Sequence, residues 1–282
     1  MSWYSNYMTI FEKPLNEISE DIIQKIRVQI ISKQSEAPLV SVILIAHNEE
    51  KHMLSCLWSL SENICNFPIE IIAVNNNSTD RTTEVMERTG VICLNETKKG
   101  PGYARQCGLN HAHGKYHICI DSDTLYPPHY IQTMVNELQK PGTTCVFSLW
   151  SFMKDENHTR LGLFSYELLR DAFLILQSFR RPELCVRGMA FAFDTELGQK
   201  IGFRTDIKRG EDGSMALAMK PYGKLRFLLN RKARVLTCNS TINNDGSFFN
   251  SFSKRLKKGR QTFRSIFHSK KEYIDDESNL IK

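Results

Sequence analysis

Four short polar stretches in this sequence carry residue types that could do chemistry. The first is Asp121-Ser122-Asp123, which closes the run His117-Ile118-Cys119-Ile120 and is followed by Pro127 and Pro128. On an extended backbone, alternation turns residues 121 and 123 to one side. Two hard oxygen ligands held there suit a divalent cation, and Mg²⁺ in particular keeps few protein ligands while bridging substrate phosphates. The same letters also make an Asp-rich turn that caps the next helix. The second stretch, Asn75-Asn76-Asn77-Ser78-Thr79-Asp80, offers side chains that can hydrogen-bond a base or a ribose. It reads equally as a helix cap led by Ser78 or Thr79.

The third stretch, KKGPGYAR at 98–105, sets Lys98, Lys99 and Arg105 around Gly100 and Gly102. Glycine lets backbone approach a ligand closely, and the basic side chains supply charge for phosphates. Its glycines, at 100, 102 and 108, miss the G-x-G-x-x-G spacing of dinucleotide sites, and no G-x-x-x-x-G-K-[ST] loop occurs, which disfavours an ATPase. The fourth, KRGEDGSMALAM at 208–219, places Glu211 and Asp212 at a helix start. There they gain from the helix dipole, or one of them acts as a general base at the rim of a site.

The elements that must position these residues alternate. Residues 15–33 put Leu15, Ile18, Ile22, Ile26 and Ile30 at helical spacing, which predicts a leading amphipathic helix. Strands buried on both faces are expected at 38–46 and 69–74 and further strands at 91–95 and 116–121, with helices at 48–60, after the asparagines up to Gly90, and at 102–114 closed by Gly114. This alternation predicts right-handed crossovers and an open sheet, with His47-Asn48-Glu49, 75–80 and 121–123 all at strand ends on one rim. Further on, strands near 144–151 and 185–193 and a helix near 160–178 are expected.

With 282 residues, 41% of them hydrophobic and 24% charged, the chain is long enough for one large folded domain. The N-terminal residues do not read as a signal peptide, and no apolar run reaches the 18 or so residues of a spanning helix, so residence in the cytoplasm is expected. The eight cysteines show no zinc or disulfide spacing and are expected to be reduced and mostly buried. The net charge is +6, and 246–271 holds eight Lys or Arg and no acid. In that tail Phe249, Phe252, Leu256, Phe263, Ile266 and Phe267 share one helical face. Contact through 249–271 with the inner face of a membrane is one reading, and a helix packed on the domain is the other. No nucleic-acid motif accompanies the charge, and no nucleic-acid partner is expected.

Taken in order, VSVILIAHNEE, IIAVNNNSTDRT, KGPGYARQCGLNHAHGKYHICIDSD, CVRGMAFAF and GEDGSMALAMKPYGK resemble the family 2 glycosyltransferases of the GT-A fold, over residues 38–240. The resemblance implies an α/β nucleotide-diphospho-sugar transferase: a Rossmann-like, open, mixed but mostly parallel sheet flanked by helices. It would sit between an amphipathic helical extension at 1–37 and the basic helical tail at 241–282. It also implies inverting transfer of a hexosyl or N-acetylhexosaminyl group from a nucleotide-diphosphate donor, a UDP-sugar favoured, to a sugar or lipid-linked acceptor, in bacterial-type surface glycan or glycolipid synthesis.

Carried over residue by residue, Ala46, His47, Asn48 and Glu49 line the nucleotide pocket. Asn75 and Asn77 stand where the family often has D-D-G-S-x-D, so hydrogen bonding is kept while an acid near the base is lost. Lys99, Gly100 and Arg105 attend the phosphates. In the family's D-x-D, Asp121 faces the ribose or donor sugar, Ser122 lies between, and Asp123, with Asp121, holds Mn²⁺ or Mg²⁺. Gly188 and Met189 underlie the donor sugar, and Asp212 is the base, with Glu211 as the fallback. Some members add a histidine ligand after the acidic pair, whereas here the only later histidine is His268. Two other functions fit the pattern less well: a nucleotidyltransferase, and a non-catalytic nucleotide-binding relative.

Overall fold

The computed structural model describes residues 2–154, 160–238 and 279. The predicted basic helix at 249–271, and His268 with it, lies outside the described residues.

The chain enters through a 3₁₀ turn at Leu15–Glu17 and then a helix, α1 (Glu20–Lys33). The helix starts later than its apolar spacing suggests, because Ile18 is extended and Ser19 takes the position before the first turn. As a result Ile23, Ile26 and Ile30 form its buried face, and Ile22 lies at the edge. With Tyr7, Ile10 and Leu15 they join the same apolar cluster as the central strands.

Next come β1 (Val40–Ala46), α2 (Glu50–Ser61), β2 (Ile69–Asn75), α3 (Thr82–Thr89), β3 (Ile92–Asn95), α4 (Pro101–Asn110) and β4 (Tyr116–Asp121). Strands β1, β2 and β4 are buried almost throughout, as continuous apolar runs covered on both faces must be. All pairings among β1 to β4 are parallel, which is why a helix returns the chain between successive strands.

The second half is less regular. It contains β5 (Thr124–Leu125), α5 (Tyr130–Leu138), β6 (Thr143–Ser148), β7 (Trp150–Phe152), α6 (Arg160–Ser178), β8 (Phe191–Asp194), α7 (Thr195–Ile201), α8 (Glu211–Met219), β9 (Lys224–Leu228) and β10 (Val235–Thr237). The main sheet has seven strands in the order β3-β2-β1-β4-β8-β6-β9, with β8 antiparallel to both neighbours. The predicted open, mixed and mostly parallel sheet flanked by helices is therefore the observed one. A small sheet, β5-β10-β7, covers one end.

Local differences from the sequence reading have identifiable causes. The helix after the asparagines begins at Thr82 because Ser78 and Thr79 are engaged by Asn48: the Asn48 amide donates to Ser78 Oγ, and Asn48 Oδ1 accepts from the Thr79 amide. Asp80 accepts from the Thr82 amide at 3.0 Å instead. Helix α4 ends at Asn110, four residues before Gly114, whose amide is taken by Ser41 Oγ. The segment expected as a strand at 185–193 is extended only from Phe191, after two 3₁₀ turns. The expected strand at 144–151 is split into β6 and β7, which join different sheets. Among the described residues no disulfide forms; Cys56, Cys119, Cys145 and Cys185 are buried, Cys65, Cys107 and Cys238 are half-buried, and Cys93 is exposed.

At the amino ends of the strands, Glu70 is 2% exposed and accepts from Ser41 Oγ (2.5 Å) and the His113 amide (2.7 Å), tying β1, β2 and the loop before β4 together. Glu70→Ala removes the acceptor for two donors and is expected to cost about 2–4 kcal/mol. A lower urea midpoint with unchanged slope checks this, and nucleotide affinity should not change, because the site lies at the opposite end of the strands.

Candidate active site

Strands β1, β2 and β4 stop at one rim, with Ala46 opposite Asn75 and Ile45 opposite Asp121. Above that rim a cavity of about 370 Å³ opens between the loop after β1, the start of α4 and the start of α8. Of the residues singled out from sequence, Ala46, His47, Glu49, Lys99, Gly100, Arg105, Asp121, Ser122, Asp123, Glu211 and Asp212 all line it. Segments separated by more than 160 positions thus meet in one hollow.

The local chain explains how each arrives. Asp121 ends β4, but Ser122 and Asp123 form a turn, so the turn and not strand alternation brings the second carboxylate to the cavity. Pro127 and Pro128 do not open the next helix directly; α5 starts at Tyr130, whose amide donates to the Pro127 carbonyl. Gly210, at φ +97°, makes the left-handed step into α8, so Glu211 and Asp212 stand in its first turn facing the cavity.

The asparagines divide their labour. Asn76, not singled out from sequence, lines the cavity and holds the 96–100 loop: Nδ2 donates to the carbonyls of Glu96 and Lys98, and Oδ1 accepts from the Gly100 amide. Its carbonyl is 2.7 Å from His47 Nδ1. Asn48, Asn75 and Asn77 do not line the cavity. Asn48 and Asn77 have positive φ and bond neighbouring loops, and Asn75 spans to Asn95. The signal for Asn76 was its central place in a run of three; nothing local distinguished it from its neighbours.

Arg105 sits at the centre of the site, 2% exposed. Its Nη2 donates to Asp121 Oδ1 at 2.5 Å, its Nη1 donates to the Ile120 carbonyl, and its Nε lies 3.2 Å from Asp212 Oδ1. The last contact is an ion pair without hydrogen-bond alignment, so Asp212 Oδ1 has no hydrogen-bond donor among the described residues. Burial lowers the guanidinium pKa, but Asp212 and Asp121 outweigh it and hold the group charged. Arg105 therefore lines the cavity with its charge already shared between two carboxylates. Gly188 makes this packing fit: a Cβ there would lie 1.9 Å from Arg105 Nη2 and 2.6 Å from Asp212 Oδ2. Gly188 and Met189 do not line the cavity; the Met189 carbonyl accepts from Tyr126 OH, which in turn accepts from the Asp121 amide.

The remaining carboxylates are short of positive charge. Burial first, then Asp121, pushes Asp123 up to about 6, against hydrogen bonds from Cys238 Sγ and Thr124 Oγ1. Burial and then Asp212 raise Glu211, while burial and Asp121 raise Asp212, with Arg105 opposing in both cases. A cation beside Asp123 would offset this imbalance, and Asp121 and Asp123 supply the hard oxygens that Mn²⁺ or Mg²⁺ prefers. Among the described residues no group of three His, Cys, Asp or Glu could hold a metal, so phosphate and water must complete any coordination. Cys238 and Tyr126 carried no sequence signal, since each reaches the acidic pair only through tertiary packing.

Residues 41–201 match the family described as Glycosyl transferase family 2. Among curated proteins, an uncharacterised glycosyltransferase of Rickettsia prowazekii (strain Madrid E) is 25% identical over 258 residues, covering 87% of this chain and 80% of its own. Glycosyltransferase GlyA of Streptococcus pneumoniae serotype 4 is 27% identical over 141 residues, 48% of this chain, and the match spans only 19% of its length. Among solved structures, a mannosyltransferase from Pyrobaculum calidifontis in complex with GDP-Man and Mn²⁺ aligns with a TM-score of 0.55 at 20% identity, over 90% of this chain and 71% of that one. S. aureus TarS 1-349 in complex with UDP aligns with a TM-score of 0.52 at 19% identity, over 71% of this chain and 60% of that one. The fold is thus shared with GT-A-like proteins.

Two outcomes follow from the electrostatics. Arg105→Met leaves the buried Asp212 and the partly exposed Asp121 without their cation and is expected to cost about 3 kcal/mol by chemical denaturation, with Arg105→Lys recovering part of the loss. For Glu211, a raised native pKa means the folded protein favours the protonated form, so its contribution is full below the unfolded pKa of about 4.3 and is lost as pH rises through the native value. Glu211→Gln, fixed neutral, should therefore gain stability over the parent on going from pH 5 to pH 8 in denaturant melts.

Proposed function

Because this chain belongs to glycosyl transferase family 2, we propose that it moves a hexosyl or N-acetylhexosaminyl group from a nucleotide-diphospho-sugar to an acceptor hydroxyl, with inversion at the anomeric carbon. The observation that carries this reading is the single cavity in which the carboxylates of 121 and 123, ending β4, face those of 211 and 212, opening α8, with Arg105 between them. The presence of both GDP-Man and UDP among complexes of the shared fold leaves the base to experiment, and our reading favours a UDP-sugar.

In this reading His47 and Glu49 border the nucleotide, while Lys99 and the 96–100 loop, held by Asn76, border the diphosphate. Asp123 and Asp121 would hold Mn²⁺ or Mg²⁺, which when bound supplies Lewis-acid stabilisation to the departing diphosphate. Arg105 fixes Asp121 in place and opposes protonation of Asp212 in its buried position. Asp212 Oδ1, without a hydrogen-bond donor, has a lone pair for the acceptor proton as the acceptor oxygen attacks opposite the leaving group. Glu211, the adjacent carboxylate, is the second candidate for that proton.

Asp212→Asn is expected to lower turnover about 10²- to 10⁴-fold while the protein stays folded. Asp123→Ala and treatment with EDTA should likewise abolish it, and added Mn²⁺ should restore the EDTA-treated parent only. The assay is release of nucleoside diphosphate from a panel of UDP- and GDP-sugars; release of pyrophosphate from a nucleoside triphosphate and sugar phosphate instead would make the protein a nucleotidyltransferase. Unchanged turnover in both variants would remove the assigned residues from the mechanism.

A further inference from the structure

Helix α6 is two-faced in an unusual direction. Its inner face, Leu163, Tyr166, Arg170, Leu174 and Gln177, is buried. Its acids also point inward: Glu167 accepts from Ser151 Oγ and the Phe152 amide, and Asp171 pairs with Arg170 and Arg234. What remains outside is apolar. Leu161, Phe164, Leu168, Leu169, Leu176 and Phe179 are each more than half exposed, from 57% to 81%. These six, with Phe173, are seven of the thirteen large hydrophobic side chains exposed among the described residues, and they lie on one stretch. They form a band about 27 Å long at 1.5 Å per residue, and contiguous exposed apolar surface of this kind marks an interaction site. No acidic side chain interrupts the band.

We propose that this face of α6 docks on an anionic membrane surface. Charge decides among the occupants. The chain carries net +6, of which residues 1–240 hold +2 and 241–282 hold +4, so a second copy meets like charge, and the tail, with eight basic residues and no acid over 246–271, meets no net negative charge on the rest of the chain. An anionic lipid surface attracts the same charge while the Leu and Phe side chains enter the interface. No helix among the described residues is long and apolar enough to cross a membrane, so the contact lies in the plane of the interface.

The face is also coupled to the cavity. Through Glu167, α6 bonds β7; β7 pairs with β10, and β10 with β5, where Thr124 adjoins Asp123 and bonds Thr237 at 3.0 Å. Beyond its last turn, the chain runs through a short 3₁₀ turn to Gly188, packed on Arg105 and Asp212. Docking of α6 would thus favour a lipid-linked acceptor over a free sugar. That consequence rests on the transfer reading; the docking does not.

The test is flotation of the full chain with phosphatidylcholine vesicles, with and without roughly one-third phosphatidylglycerol. The parent should float with the anionic vesicles, less so as salt rises, and Leu168→Glu/Leu176→Glu should reduce flotation by about tenfold or more. Leu161→Ser/Phe179→Ser is the second variant, should the first unfold. Nucleoside diphosphate release in solution should be the same in parent and variants. The proposal is overturned if the parent does not float, or if the variants float like the parent, which would put the contact elsewhere, for example at 249–271. A vesicle-free dimer that Leu168→Glu/Leu176→Glu dissociates would also overturn it, by making the occupant a second copy. If flotation depends on α6 while no donor is turned over, docking stands and the transfer reading fails.

Discussion

A single buried guanidinium organises this molecule. Arg105 leaves α4 and meets the end of β4 and the start of α8, placing one positive charge between Asp121 and Asp212. Burying a charge is costly unless it is paired, and here the buried Arg105 and Asp212 are paired with each other while Asp121, at the rim, shares the guanidinium. The main sheet brings β4 to the rim, and the Arg105 contact ties it to the start of α8, which the chain reaches some ninety residues later and which Met215, Ala216 and Met219 anchor in the core. Gly188 is the packing condition for this arrangement, because any side chain there would displace the guanidinium.

One arginine cannot neutralise the whole cluster, and the shortfall is chemically useful. Asp121 and Asp212 consume its charge, while Asp123 remains buried and crowded by Asp121 and Glu49. The cavity therefore has an acceptor-rich end suited to a cation and an acidic end suited to taking a proton. The 96–100 loop lies opposite, bringing Lys99 and the backbone of Gly100, and it is held by a side chain of β2's loop and not by its own sequence. Rigidity of this kind lets a site bind charged groups without first ordering its own loops.

The small sheet has a role that the main sheet lacks. It joins Thr124, next to Asp123, to the inner face of α6, whose outer face is apolar. Turning Glu167 and Asp171 inward satisfies Arg234 and Arg170 and at the same time strips the outer surface of negative charge. From sequence, LGLFSYELLRDAFLILQSF reads only as a helix. Which of its faces meets the protein depends on partners in β7 and on Arg234, just before β10, and these are invisible in the helix itself.

The sequence by itself determined the alternating strands and helices, the four polar stretches at strand or helix ends, and the family resemblance they form in order. Those are local properties: apolar runs of strand length, helical spacing and turn residues act over a few positions. It also located the acids at 121, 123, 211 and 212 that the cavity gathers. Tertiary structure alone decided what each polar residue does. Asn76 points into the site while Asn75 and Asn77 brace loops; Arg105 neutralises acids that lie 16 and 107 positions away in the chain; Cys238 and Tyr126 steady the acidic pair. Charge compensation and burial depend on distance in space, and that distance is set only when the sheet has closed around them.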